Sequence, residues 1–182
     1  VVSASKNRAD DFSTFTLRLI NEIDILSHLI PSDDQRQSKI SFDVKPARAS
    51  HAPSVKSLGI SGQLTGSRSG LIIADDVESA NNSATMGMRD KLSEQVKEFE
   101  SILKPDGRIV FLGTMQNEMS LYNTLPQRGY KQRIWPALYP SDSQMKSYGT
   151  VLAPMIKNTI NENIVGKPTD PQRFDEEDLA QR

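Results

Sequence analysis

The chain contains no cysteine among its 182 residues. This absence excludes disulfide bonds and thiolate metal sites. It fits a reducing compartment, although it does not require one. Any metal chemistry must therefore rest on oxygen or imidazole ligands.

Long apolar segments and an excess of either charge are also missing. No apolar run approaches the roughly 18 residues that cross a bilayer, and no signal peptide is visible, so we expect no membrane association. The formal net charge is −1, so bulk electrostatics neither favours nor excludes a nucleic-acid partner. At 36% hydrophobic and 25% charged residues, the composition suits one ordinary globular domain.

Hydrophobic periodicity predicts strands that alternate with helices. Apolar residues at steps of three and four predict a long helix over residues 6–30, with Phe12 and Phe15 on its buried face. A second pattern of this kind predicts a helix that buries Leu92 and Val96. Such alternation is typical of an α/β fold with a mostly parallel sheet and helices on both faces.

The segment 71–78, which reads LIIADDVE, carries the strongest chemical signal. Its four apolar residues predict a strand buried on both faces. Three acids follow at once, and in open α/β sheets ligands bind where strands end. We predict that Asp75 holds Mg²⁺ through water and that Asp76 or Glu78 serves the attacking nucleophile, as in a Walker B element. The alternative is a strand end followed by a solvated acidic turn.

A second polar strand end lies further along the chain. A Pro-Asp-Gly turn is predicted at 105–107, before a strand over 108–112. Gly113, Thr114 and Gln116 follow that strand, and their hydroxyl and amide groups are candidates to sense a γ-phosphate or the attacking water. Ordinary turn chemistry is the alternative explanation.

One arginine is a candidate for action on another subunit. Arg68 lies on a glycine-rich loop just before the acidic strand, at the end of that strand opposite the acids. It is either a solvated loop cation or an arginine presented to a neighbouring subunit's nucleotide.

The last third of the sequence has weaker patterns. A helix is predicted between residues 153 and 163, and Trp135 is expected to pack on the core at the end of a strand. Acids at 175–178 predict the first turn of another helix, because carboxylates there complement the helix dipole.

The sequence lacks the G-x-x-x-x-G-K-[ST] loop that cradles phosphates in P-loop ATPases. Residues 62–70 are rich in glycine but supply no Gly-Lys-Ser/Thr. The chain also opens without methionine. We therefore expect a fragment of a longer protein, with the phosphate cradle upstream of Val1.

Several segments, taken in order, resemble the large terminase subunit of short-tailed podoviruses, a family also called DNA maturase B. They are VVSASK (1–6), SVKSLGI (54–60), GQLTGSR (62–68), LIIADDVE (71–78), LGT (112–114), IWPALYP (134–140) and KPTDPQRFD (167–175). The resemblance implies a RecA-like P-loop NTPase core of the additional-strand (ASCE) class that lacks its P-loop strand.

The resemblance also implies domains and residue roles. Residues 1–140 would form a partial ATPase core, 141–165 its end, and 166–182 a linker toward a nuclease domain absent from the chain. Asp75 would be the Walker B ligand of Mg²⁺, and Gly113 and Thr114 would belong to the motif that couples hydrolysis to DNA movement. Family members usually end this strand in Asp-Glu, whereas this chain has Asp75-Asp76 with Glu78 two positions on. The catalytic carboxylate is therefore open between Asp76, favoured by position, and Glu78.

The implied function is an ATP-driven motor that packages double-stranded DNA into a capsid. Its cofactors would be ATP and Mg²⁺, and its partners the DNA, the portal protein, the terminase small subunit and further copies in a ring. It would act in the host cytoplasm at the procapsid portal. The alternatives are a helicase-like translocase, or a non-catalytic fragment with a binding role only.

Overall fold

A computed structural model describes residues 1–64, 66–115 and 117–181. The chain divides into two compact units, Val1–Thr124 and Leu125–Arg182. Within the described ranges, no helix is both long and apolar enough to cross a membrane.

The first unit is an α/β structure. Its described strands are β1 (Val2–Ser3), β2 (Gln37–Ser38), β3 (Ser41–Phe42), β4 (Val55–Lys56), β5 (Leu58–Gly59), β6 (Ser69–Asp75) and β7 (Leu103–Leu112). Its described α-helices are α1 (Lys6–Glu22), α2 (Ala80–Ser83), α3 (Met86–Ile102) and α4 (Leu121–Thr124). The predicted alternation of strands and helices is therefore confirmed for this part of the chain.

The main sheet has the order β5-β1-β6-β7. Every pairing in it is parallel, and the register sets Ser3 opposite Asp75 and Asp75 opposite Leu112. Parallel neighbours need crossover connections, which α1 and α3 provide after β1 and β6. A small antiparallel sheet, β2-β3-β4, lies between α1 and β5 in the sequence. The mostly parallel sheet flanked by helices is as predicted.

Helix α1 differs from its prediction in length and in its buried face. The Ser5 hydroxyl accepts a hydrogen bond from the Arg8 amide at its start, and the helix ends at Glu22, before a 3-10 helix over Asp24–Leu29. Its buried residues are Ala9, Ser13 and Ile20, whereas Phe15 is 58% exposed. Small residues face the sheet because the helix approaches closely: a Cβ on Gly59 would lie 2.8 Å from the Lys6 nitrogen.

Helix α3 follows its prediction. It buries Leu92 and Val96, the face predicted from spacings of three and four, together with Phe99 and Ile102. The Phe99 ring stacks on Phe111 of β7 with centroids 5.9 Å apart. The helix is thereby fixed to the last strand of the sheet.

The predicted turn at 105–107 is wrong. Strand β7 runs through these residues, and its pairing jumps from Ser69 opposite Leu103 to Leu71 opposite Arg108. The Pro-Asp-Gly sequence therefore forms an irregularity inside the strand. The parallel ladder with β6 extends on both sides of it and outweighs the local turn preference.

Strand β6 is buried on one face, not on both as predicted. Ile72 and Ala74 are buried, but Leu71 is 52% exposed. Across the ladder, Val110 and Leu112 of β7 are exposed on the same side as Leu71. Within the described residues, this face of β6 and β7 is left uncovered.

The second unit contains α5 (Asp142–Tyr148), α6 (Pro154–Thr159) and α7 (Glu176–Ala180). Its core consists of Leu152, Ala153 and Ile156, with Tyr139, Met145 and Tyr148 packed against them. The acidic first turn of α7 is confirmed, with Asp175 as its cap. Trp135 is 61% exposed, so the expectation that it packs on the core is wrong.

Candidate functional site at the carboxyl edge of the sheet

The first two acids lie where three parallel strands end. Asp75 closes β6 between Ser3 of β1 and Leu112 of β7. The next residue continues the ladder on both sides: the Asp76 amide donates to the Leu112 carbonyl at 2.9 Å, and the Ala4 amide donates to the Asp76 carbonyl at 3.2 Å. The sheet itself therefore fixes the backbone that carries both carboxylates.

Asp76 has an unusual backbone conformation. Its φ is +43°, the only positive φ at a non-glycine position in the described ranges. Aspartate tolerates this left-handed region better than most side chains, and such conformations concentrate at functional sites. The Asp76 carboxylate lies 3.6 Å from the Arg8 guanidinium, and both side chains are about half exposed or more. This pair contributes little to stability and leaves the carboxylate accessible.

Asp75 lies in an environment that disfavours its charge. Partial burial raises the pKa of Asp75, the nearby charge of Asp76 raises it further, and Arg8 opposes both. A cation beside two adjacent carboxylates would relieve this repulsion. The oxygen donors also match the preference of Mg²⁺ for one or two carboxylates together with water and phosphate.

A cage built wholly from protein ligands is not formed in the part of the chain that the structure describes. No group of three or more His, Asp or Glu side chains is placed there to hold a metal ion. The pair Asp75 and Asp76 supplies two carboxylates, a donor set that suits a hydrated Mg²⁺ that also contacts phosphate.

Glu78 has a different environment from its neighbours. The residue is 2% exposed, and its Oε2 accepts hydrogen bonds from the Ser120 hydroxyl and the Leu121 amide, both at 2.7 Å. Its Oε1 is buried without a hydrogen-bond partner in the described ranges. The carboxylate therefore ties the loop after β6 to the start of α4.

Gly113 follows β7 directly and lies beneath Tyr122. A Cβ at Gly113 would lie 2.0 Å from the Tyr122 hydroxyl oxygen, so only glycine fits there without movement. The Tyr122 hydroxyl donates to the Leu112 carbonyl at 3.3 Å. Burial raises the pKa of Tyr122 to about 12, which keeps this donor protonated. Thr114 is exposed beyond Gly113, and Gln116 lies outside the described residues.

Arg68 lies at the other end of β6. Its guanidinium donates to the Ser101 carbonyl at 2.9 Å, in the last turn of α3, where a cation complements the helix dipole. Ser69 and Asp75 are six residue steps apart along β6, roughly 20 Å at about 3.3 Å per residue. Arg68 is therefore remote from the acids of its own chain, and a role on a neighbouring subunit stays a prediction.

The structure thus brings Asp75, Asp76 and Gly113 to one edge of the sheet. Glu78 is buried and bonded to Ser120 and Leu121. Sequence reasoning missed the partners Ser120, Leu121 and Tyr122. Their side chains carry no motif, and they lie more than 40 residues from Glu78 in the sequence. Only the parallel pairing of β6 with β7 brings the two segments together.

The fold and the site together define an α/β protein whose parallel sheet presents carboxylates at its carboxyl edge. No protein-family model matches the chain. Over its whole length the chain is 54% identical, across 189 aligned residues, to the terminase large subunit of Enterobacteria phage T3. The resemblance to the large terminase subunit of a podovirus is confirmed by this match. The chain spans 32% of the length of that relative.

Proposed function

We propose that this chain is part of an ATP-driven motor that packages double-stranded DNA into a viral capsid, in the ATPase region of a terminase large subunit. The observation that carries the proposal is the 54% identity over the whole chain to the phage T3 terminase large subunit. The position of two carboxylates at the carboxyl edge of a parallel sheet supports it, because ligands bind at that edge in α/β proteins.

Each acid has a distinct role in the proposal. Asp75 holds Mg²⁺ through water, and the accessible carboxylate of Asp76 orients the attacking water or accepts its proton. Bound Mg²⁺ would neutralise the charge of the phosphate oxygens during transfer. Gly113 and Thr114, at the end of the adjacent strand, are proposed to sense the state of the nucleotide and to couple it to DNA movement.

The rest of the site would come from outside this chain. No G-x-x-x-x-G-K-[ST] loop occurs in the sequence, so the proposal requires such a loop elsewhere in the full-length protein, upstream of Val1. With it, the core would be RecA-like and belong to the P-loop NTPases. The proposed partners are duplex DNA, the portal protein, the terminase small subunit and further copies in a ring, all in the infected host cell.

The role of Asp75 is tested in the full-length protein. Asp75→Ala should abolish DNA-stimulated ATP hydrolysis, because the carboxylate that holds Mg²⁺ is lost. Asp90→Ala is the matched control, since Asp90 is an exposed acid on α3 and its loss should leave turnover unchanged. Full turnover by Asp75→Ala would refute the assigned role.

A strand-displacement assay distinguishes the motor from a helicase-like translocase. A packaging motor should move along duplex DNA without unwinding it, whereas a helicase should release the displaced strand. If the full-length protein neither hydrolyses ATP nor translocates, the non-catalytic alternative with a binding role stands instead.

A further inference from the structure

We infer that Glu78 is a positioning residue that clasps the segment after β7, and that Asp76 alone serves the nucleophile. The clasp consists of the Glu78 carboxylate, the Ser120 hydroxyl and the Leu121 amide. This inference rests on the proposed function, whose catalytic carboxylate the sequence leaves open between Asp76 and Glu78.

The first support is the contrast in access between the two acids. A general base must come within hydrogen-bond reach of the water that it activates. The Glu78 residue is 2% exposed, and one of its oxygens already accepts two hydrogen bonds at 2.7 Å from protein donors. The Asp76 side chain is 48% exposed and lies at the strand end beside Asp75.

The second support is the position of the clasped residues. Ser120 and Leu121 immediately precede Tyr122, whose hydroxyl covers Gly113 and bonds to the Leu112 carbonyl. The clasp therefore holds Ser120 and Leu121, and the tyrosine contact links the next residue, Tyr122, back to Leu112 and Gly113. Through the clasp and the tyrosine contact, Glu78 fixes the end of β7, where the Leu112 carbonyl accepts a hydrogen bond from the Asp76 amide.

Glutamine at position 78 separates positioning from catalysis. A glutamine carbonyl can accept both hydrogen bonds of the clasp but cannot take a proton from water. Its amide nitrogen would occupy the place of Oε1, which has no partner among the described residues, so no existing donor is displaced. Alanine removes the acceptor altogether.

The measurement is DNA-stimulated ATP hydrolysis by the full-length protein, with kcat and KM determined separately. The kcat of Glu78→Gln should stay within about tenfold of the wild-type value. Both hydrogen bonds of the clasp are kept, and only the charge of their acceptor is lost. Glu78→Ala should lose most of its kcat with an unchanged KM for ATP. Asp76→Asn should lose about 10²- to 10⁴-fold, the usual contribution of a general base.

Hydrogen exchange tests the clasp without ATP turnover. The Leu121 amide should exchange fastest in Glu78→Ala, which loses both clasp bonds, and at an intermediate rate in Ser120→Ala, which loses one; Glu78→Gln should restore its protection. Ser120→Ala keeps the Leu121 bond, so it remains informative if Glu78→Ala fails to fold. Asp75→Ala should leave this exchange unchanged.

The outcomes separate the two proposals. If Glu78→Gln loses as much kcat as Glu78→Ala, Glu78 is catalytic and the inference is overturned. Unchanged Leu121 exchange in Glu78→Ala would also overturn it. If the full-length wild-type protein neither hydrolyses ATP nor translocates, the proposed function fails, whatever the exchange data show.

Discussion

At the scale of single residues, the site depends on where the backbone holds each acid. Asp75 and Asp76 are adjacent in sequence, but one closes a strand and the other has a left-handed φ of +43°. The turn that this φ produces lets the Asp76 backbone bond to both neighbouring strand segments. Three acids within four positions therefore have three different environments.

The left-handed φ of Asp76 predicts an order of stability among variants at this position. Asp76→Asn should fold as well as wild type, because asparagine also tolerates the left-handed region. Asp76→Ala should cost about 1 kcal/mol, the usual penalty of that region for other residues. Asp76→Gly should be at least as stable as Asp76→Asn, since glycine has no Cβ. Urea unfolding measures the free energies of unfolding of the three variants. Equal values for Asp76→Ala and Asp76→Gly would contradict the prediction.

The contact between Gly113 and Tyr122 predicts a costly small change. Gly113→Ala would place a Cβ 2.0 Å from the Tyr122 hydroxyl oxygen, so the ring must move. We expect a loss of about 1–3 kcal/mol in the free energy of unfolding, as for overpacking elsewhere. Adding Tyr122→Ala should remove most of the extra cost of Gly113→Ala. Additive effects in this double-mutant cycle would show that the two residues do not interact.

At the scale of elements, one arginine organises the loop between β3 and β4. Arg36 donates to both carboxylate oxygens of Asp43 and to the carbonyls of Ser50, His51 and Ala52. Asp43 Oδ1 also accepts from the Ser54 amide. The loop has little regular structure, so these bonds replace those that a helix or ladder would provide.

This network predicts a pH dependence of stability. The hydrogen bonds and charge of Arg36 hold the pKa of Asp43 below its usual range. Because the pKa of Asp43 is lower in the folded than in the unfolded chain, its ionised form stabilises the folded protein at pH values above the unfolded pKa of about 3.9. That contribution is lost as the pH falls from there through the lower folded pKa.

Arg36→Ala should therefore remove part of the decline in stability below about pH 4. Urea unfolding of both proteins from about pH 6 to about pH 2.5, a range that extends well below the unfolded pKa of about 3.9, checks this. The control is Asp90→Asn, which removes the charge of an exposed acid on α3 and leaves the network of Arg36 and Asp43 intact. A difference between wild type and Arg36→Ala that does not vary with pH would contradict the prediction.

At the scale of the whole molecule, the parallel sheet is incompletely covered within the described residues. Strand β7 is one of its two edge strands, and Leu71, Val110 and Leu112 form an exposed apolar face. Parallel sheets are normally covered on both faces, and an unpaired apolar edge promotes association. The surface is suited to pack against more protein.

We expect the isolated chain to self-associate through this face. Val110→Lys should reduce association in sedimentation velocity, because a charge on this apolar face is costly to bury between two copies. Val165 is matched in exposure, at 42% against 41% for Val110, and lies in the second unit. If Val165→Lys reduces association equally, a general effect of charge explains the result.

The sequence by itself determined the alternation of strands and helices in the first unit and the position of the first acid. Four apolar residues before Asp75 encode a strand that must end where charge begins, and the spacing from Leu92 to Phe99 encodes the buried face of α3. Both are local patterns, because each depends on residues within one element. The domain boundaries at 140 and 165 and the roles of the site residues stay predictions.

Only the tertiary structure decided what surrounds these patterns. The face of α1 that contacts the sheet carries Ala9 and Ser13, not Phe12 and Phe15, because close packing on the sheet favours small side chains there. Glu78 is buried because Ser120, 42 residues away, supplies a donor for its carboxylate. Such contacts depend on which strands pair, and no local pattern encodes that pairing.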